Sequence, residues 1–255
     1  MRAKQIEVIV GEIKKVNKEV FLLSFTSSYL AKESRPGNFL HIKINSTLLR
    51  RPFSVHKVCG RKVFVLFKVR GRGTNMLSKY NKGDTLDVIG PLGKGFDARP
   101  QKQSVLVAGG IGVAPLVFLA QRLKKIKTKN IVLLGERSKK DILCEKEFKQ
   151  FGFKVYVATE DGSKGTKGTV VDLLKRQLST INCQLSTNIY ACGPKEMFFK
   201  MHEAVKAYPD INCQVSFEQF MGCGLGICCG CSIETKAGYK KVCKDGPVFN
   251  LGDIW

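Results

Sequence analysis

The sequence predicts an α+β chain of several domains. An antiparallel β-barrel comes first, an α/β parallel-sheet unit second, and a small cysteine-bearing segment last. Three observations predict it. Residues 1–98 divide into short alternating apolar runs separated by turn signals. Residues 99–209 alternate strand-like with helix-like runs, the pattern of βαβ units around a parallel sheet. Residues 210–255 hold Cys223-Gly224-Leu225-Gly226-Ile227-Cys228-Cys229-Gly230-Cys231, followed by Cys243.

In the first region the expected strands are 5–15, 20–26, 38–44, 53–57, 62–68 and 85–89, with one short helix over 74–80 after a Gly-x-Gly turn. In the second they are 104–108, 131–134, 154–158 and 188–191. The helices between and after them fall at 114–124, 140–150, 169–178 and 195–207. The nearly apolar run 105–120 is too short to span a bilayer and contains Gly109, Gly110, Gly112 and Pro115, so it reads as a buried strand, a turn and a helix start. No apolar signal core follows Met1, and the chain is expected to be cytoplasmic with its ten cysteines mostly reduced.

With 255 residues, 44% of them apolar, the chain can bury an ordinary core. Its 43 basic and 21 acidic residues give a formal charge of +22. The basic residues are scattered rather than blocked and no nucleic-acid module is visible, so solvated faces are the expectation and a nucleic-acid partner is not.

Four motifs precede the cysteine loop. Arg51-Pro52-Phe53-Ser54 offers a guanidinium fork for a diphosphate and a hydroxyl for a flavin, although a surface Arg and a turn Pro would look the same. Arg70-Gly71-Arg72-Gly73-Thr74 opens a short helix whose amides suit phosphate, with Thr74 equally suited to a plain N-cap. Gly109-Gly110-Ile111-Gly112-Val113-Ala114-Pro115 follows a strand and opens a helix, the context of a pyrophosphate loop without the full G-x-G-x-x-G pattern. Cys192-Gly193-Pro194 ends a later strand, where parallel sheets bind ligands; a core thiol and a turn are the plainer reading.

Cys223, Cys228 and Cys231 stand in C-x4-C-x2-C spacing with Cys243 downstream, the plant-type pattern for a [2Fe–2S] cluster. Structural zinc, which favours two C-x2-C pairs, and disulfides or inert thiols are the competing readings. Cys229 is expected to face away from the metal as a small core residue, with substitution for Cys228 left open.

Together these residues resemble the ferredoxin-reductase-like flavoproteins, and within them the PyrK family, the electron-transfer subunits of NAD-dependent dihydroorotate dehydrogenases. The resemblance runs through Arg51 to Ser54, Leu66-Phe67-Lys68, Gly73-Thr74, Gly90 to Phe96, Gly109 to Leu116, Ala191 to Pro194, and the segments around Cys223 and Cys243. Lys68 replaces the family's more usual Arg, and the charge of +22 departs from it too.

The resemblance implies FAD on 1–98, NAD on 99–209 and the [2Fe–2S] cluster on 210–255. It implies FAD contacts at Arg51, Pro52, Phe53, Ser54, Leu66, Phe67, Lys68, Gly73 and Thr74. Nucleotide contacts fall to Gly109, Gly110, Gly112, Ala114, Pro115, Cys192, Gly193 and Pro194, and the ligands to Cys223, Cys228, Cys231 and Cys243. It also implies an FMN-containing catalytic partner, two copies of each subunit, and no acid–base residue of this chain's own. NAD(H) is expected over NADP(H). Glu136 would favour a free ribose and Arg137 or Lys139 the 2′-phosphate. A reductase subunit serving a ferredoxin or another flavoprotein would carry the same motifs. A redox-sensing or nucleic-acid-binding module on a vestigial cofactor fold is the reading from another class.

Overall fold

The computed structural model describes residues 3–45, 47–99, 102–126, 129–180 and 187–255. Seven strands form the first sheet: β1 (Lys4–Lys15), β2 (Val20–Thr26), β3 (Phe39–Lys43), β4 (Arg51–Ser54), β5 (Lys57–Cys59), β6 (Lys62–Lys68) and β7 (Thr85–Leu92). All pair antiparallel in the order β4-β3-β7-β1-β2-β6-β5, so the two edge strands are consecutive in sequence and the sheet curls into a half-barrel. Alternation drives it: Val8, Val10, Leu23, Phe25, Leu40, Ile42, Val63, Val65, Leu86 and Val88 pack inward as one core. The Asn17 carboxamide accepts the Glu19 and Val20 amides, which turns β1 into β2.

Two local expectations change here. The strand expected over 53–57 is split, because the chain bends at Val55 and His56 and Lys57–Cys59 pair with β6 instead. A helix not foreseen, α1 (Ser28–Glu33), is capped by Ser27, whose hydroxyl accepts the Leu30 amide, and is anchored by buried Leu30. The helix expected over 74–80 starts earlier, as α2 (Arg72–Leu77).

The second sheet contains β8 (Gln103–Gly109), β9 (Lys129–Glu136), β10 (Lys154–Thr159), β11 (Thr166–Lys167), β12 (Thr187–Cys192), β13 (Ile211–Ser216) and β16 (Val248–Asn250), in the order β11-β10-β9-β8-β12-β13-β16. All neighbours are parallel except β13 and β16. The helices are α3 (Val113–Leu123), α4 (Glu145–Gln150), α5 (Val170–Thr180) and α6 (Lys195–Val205).

Both faces are covered. Leu106, Val132, Leu134 and Tyr190 meet α3 and α4, whereas Val105, Val107, Leu133 and Ile189 meet α5 and α6. The helix expected over 140–150 is broken by a 3-10 turn at Lys139–Asp141 and by Cys144 in the left-handed region.

The sheet continues beyond residue 209, where the last segment was expected to begin. β13 pairs with β12, and β16 returns to β13 after a small hairpin of β14 (Ser232–Ile233) and β15 (Lys240–Lys241) and the helix α7 (Val242–Asp245). No helix among the described residues is long and apolar enough to cross a membrane.

Candidate functional site

On the barrel, Arg51 begins β4 and lies against the first turn of α2. A Cβ on Gly73 would sit 3.2 Å from the Arg51 Nε, so this glycine admits the guanidinium. The two barrel motifs, far apart in sequence, therefore meet. Arg51 also donates to the Leu49 carbonyl at 2.7 Å, which fixes its direction. Phe53 is buried edge-on to Phe67, while Pro52 and Ser54 are half-buried along the strand. Leu66 and Phe67 are core residues, leaving mainly their backbone for a ligand. The Thr74 hydroxyl accepts the Arg70 and Gly71 amides, so it shapes the turn. Lys68 pairs with Glu19 at 3.0 Å and lines the cavity described next.

The chain leaves β8 for β9 and β10 on one side, then returns to β12 on the other. This reversal leaves a crevice at the carboxyl ends of β8 and β12, the usual ligand position of such sheets. Gly109, Gly110 and Gly112 lie on one wall, and Cys192, Gly193 and Pro194 on the other. The walls touch at Gly112, where a Cβ would fall 2.2 Å from the Cys192 carbonyl oxygen. Ala114 and Pro115 are buried in the first turn of α3, and the buried Cys192 thiol is pushed well up by desolvation.

A cavity of about 1040 Å³ opens there, lined by Gly109 to Ile111, Gly135 to Ser138, Lys140, Pro194 and Met197. Glu136 stands in it at the end of β9. Burial, reinforced by Asp141, raises its carboxyl to about 7 against the pull of Lys68 and Arg137.

The cysteine loop is shaped by its own amides. Leu225 and Cys228 donate backbone N–H groups to the Cys223 sulfur at 3.3 and 3.4 Å. Burial opposes ionisation of Cys223, but the amides of Cys228, Leu225 and Ile227 outweigh it and bring the thiol down to about 6. Cys231 and Cys243 are buried, and the Cys243 amide donates to the Cys231 sulfur at 3.4 Å. Burial first, then the neighbouring Cys231, push the Cys243 thiol up to about 12. Cys228 is exposed, with its sulfur over Gly222.

Among the described residues no three of these thiols lie within 4.8 Å of one another. One tetrahedral zinc with bonds of ~2.3 Å would need all four closer than that. The nine described cysteines are free of disulfides. Cys229 is exposed rather than in the core, with φ of +57°, and its thiol leans toward the Ile227 carbonyl. The left-handed turn at that residue swings it outward, which corrects the expectation of a small core residue.

One contact that sequence reasoning missed joins loop and barrel. His41 lies on β3, opposite Pro52 of the Arg51 motif. Its ring meets Gly224 so closely that a Cβ there would fall 2.6 Å from Nδ1. His41 is fully buried and neither ring nitrogen has a hydrogen-bond partner. Burial holds the imidazole below its usual range, although the Cys223 backbone lies near enough to favour its charged form. An orphaned imidazole beside Cys223 fits a site that closes around a bound group.

Known proteins agree with this architecture. The family model for the iron-sulfur cluster binding domain of dihydroorotate dehydrogenase B matches residues 218–254, and that for the oxidoreductase NAD-binding domain matches residues 106–203. The dihydroorotate dehydrogenase B (NAD(+)) electron transfer subunit of Geobacillus sp. (strain WCH70) is 37% identical, over 98% of each chain. Its counterpart in Desulforamulus reducens is 38% identical, over 97% of each. The solved NADH-dependent reduced ferredoxin-NADP oxidoreductase superposes with a TM-score of 0.88 at 29% identity, covering 97% of this chain and 89% of that one. The ferredoxin reductase of carbazole 1,9a-dioxygenase, at 16% identity and a TM-score of 0.71 over 84% of this chain and 69% of that one, shares the fold. By this similarity along its whole length, the chain belongs to the family of dihydroorotate dehydrogenase B (NAD(+)) electron transfer subunits.

Proposed function

We propose that this chain passes electrons from an FMN-containing dihydroorotate dehydrogenase catalytic subunit to NAD+, in pyrimidine biosynthesis. The observation that carries it is the presence of three built sites on one chain. The Arg51–Gly73 contact marks the barrel, the Gly112–Cys192 contact marks the sheet crevice, and Gly224 seats the cysteine loop on β3.

In this reading Arg51 grips the FAD diphosphate, and the β4 and β6 backbones carry the flavin. Cys223, Cys228, Cys231 and Cys243 hold a [2Fe–2S] cluster, for which the lowered Cys223 thiol and the spread of the four sulfurs are suited. NAD(H) lies along Gly109 to Gly112, with its adenosine ribose toward Glu136. When bound, the cluster passes single electrons and the flavin turns two of them into a hydride. The residues themselves orient and enclose, and none is assigned an acid or base role.

Phe220, Ile227 and Leu225 stand exposed on the cysteine segment, at 92%, 77% and 46%. Such an apolar patch is suited to the catalytic subunit, in an assembly of two copies of each. Nothing in these sites explains the charge of +22.

The test is co-purification with the catalytic subunit and an assay with dihydroorotate and NAD+. NADH formation should require both chains. A complex that instead reduces only a ferredoxin would move the chain to the related reductases.

A further inference from the structure

Away from the cysteine loop, three side chains from the two large domains bring their ligand atoms together. His56, Cys144 and Glu147 each offer one, and these atoms all lie within 4.8 Å of one another. His56 follows β4 on the barrel. Cys144 and Glu147 begin α4 in the second sheet's domain.

The local chemistry suits a metal. His56 Nδ1 lies 2.9 Å from the Ala114 carbonyl oxygen. A carbonyl only accepts, so Nδ1 carries the proton and Nε2 keeps its lone pair. A metal-bound histidine is usually oriented in this way by its second nitrogen. Burial holds the His56 imidazole down at about 4, so the ring is neutral at ordinary pH.

Cys144 takes φ of +59°, a left-handed backbone uncommon for a residue other than glycine. Glu147 follows three residues later, on the same side of the first helical turn. Of the neighbouring charges, the Lys57 ammonium acts on both His56 and Cys144. Glu145 is engaged by Lys149 and Lys164, and the Lys57 ammonium lies over the Phe64 ring at 5.0 Å. His56 is buried while Cys144 and Glu147 are half-buried, so an ion can enter from their side.

One nitrogen, one sulfur and one oxygen form a borderline ligand set. It matches Zn2+ better than Mg2+ or Ca2+, which favour oxygen alone. We propose that His56, Cys144 and Glu147 bind one Zn2+, with water in the fourth position, as a staple between the barrel and the nucleotide domain. Binding forms the Zn–S bond at the expense of the thiol proton, which passes to solvent.

The experiment uses the full chain with its iron–sulfur centre and flavin in place. It is equilibrated with micromolar Zn2+, and zinc and iron are counted per chain. One zinc is expected, beyond an unchanged iron content. Zinc K-edge absorption should show a single sulfur neighbour, which separates this site from the four-cysteine loop. Cys144→Ser should remove the sulfur shell and weaken zinc binding by more than about tenfold, the loss that even an outer-shell partner can cause. Glu147→Gln, on a half-buried helix position, should weaken it too and guards against a folding failure at His56 or Cys144. Absence of zinc from the wild-type chain would overturn the proposal. So would zinc kept equally by the Cys144→Ser and Glu147→Gln variants, or a zinc shell of several sulfurs.

Discussion

Replacing Glu136 with Gln probes the nucleotide cavity through both stability and specificity. The Glu136 carboxyl is raised from 4.5 to about 7, first by burial and then by Asp141. A folded-state value above the unfolded one means that the native state binds the proton more tightly. The carboxyl therefore costs nothing below pH ~4.5, and its ionisation penalty grows until about pH 7. The rise from 4.5 to about 7 corresponds to roughly 3 kcal/mol. The carboxyl is partly exposed, and solvent screening reduces the expected penalty to about 1–2 kcal/mol.

Glu136→Gln cannot ionise, so it should gain that amount over the wild type at pH 8 and almost nothing at pH 4.5. For a chain of this size that is about 2–4 °C in unfolding midpoint. The assay is thermal unfolding of both proteins from pH 4.5 to 8.5 in one cofactor state. A difference that stays constant across this range, or that favours the wild type at high pH, would refute the reasoning. The same residue bears on nucleotide choice. Ionised Glu136 should repel a 2′-phosphate, so the wild type should favour NADH in kcat/KM and the variant should narrow the ratio. A wild type that prefers NADPH would assign the ribose pocket to Arg137 and Lys140 instead.

Cys228→Ser should lose or damage the cluster, whereas Cys229→Ser should keep two irons and two acid-labile sulfides per chain, as the exposed, outward-turned Cys229 implies; the reverse outcome would exchange their roles. Arg51→Ala should weaken FAD binding about ten- to a hundred-fold, from a charge-assisted contact of ~1.5–3 kcal/mol, and unchanged affinity in a flavin titration would leave Arg51 a structural residue of the β4 turn. Gly224→Ala places a methyl 2.6 Å from His41 Nδ1 at a φ of +70°, so at least about 1–3 kcal/mol of overpacking should loosen the loop from the barrel. Iron retention and the cluster's electron paramagnetic resonance would report it, and an unaltered spectrum would remove His41 from the site.

The parts of this fold that were legible are those where one strong period rules. Short runs that are apolar after a polar first residue, such as 104–108 and 188–191, announced buried parallel strands, and β2 and β6 fell where their alternation placed them. The failures came where tertiary contacts override local pattern. The bend at Val55 and His56 divides an alternating stretch because Lys57–Cys59 is drawn to β6, and nothing in the local sequence marks it. Cys144 breaks a helical pattern with a left-handed turn that its residue type does not advertise.

The same division runs through the candidate site. Cysteine spacing and glycine-rich strand ends are local chemistry and can be read in order. His41 could not be, since one histidine in an alternating strand looks like any core residue. Its meaning depends on a loop more than 180 residues later in the chain closing on it. Gly224 permits that closure, since any side chain there would strike the imidazole. β3 then carries the contact one strand further, because His41 and Pro52 are register partners. Electron transfer between two sites depends on how near the protein lets them come. Here a missing side chain at Gly224 and a single strand pairing fix the approach of the cysteine loop to the Arg51 motif.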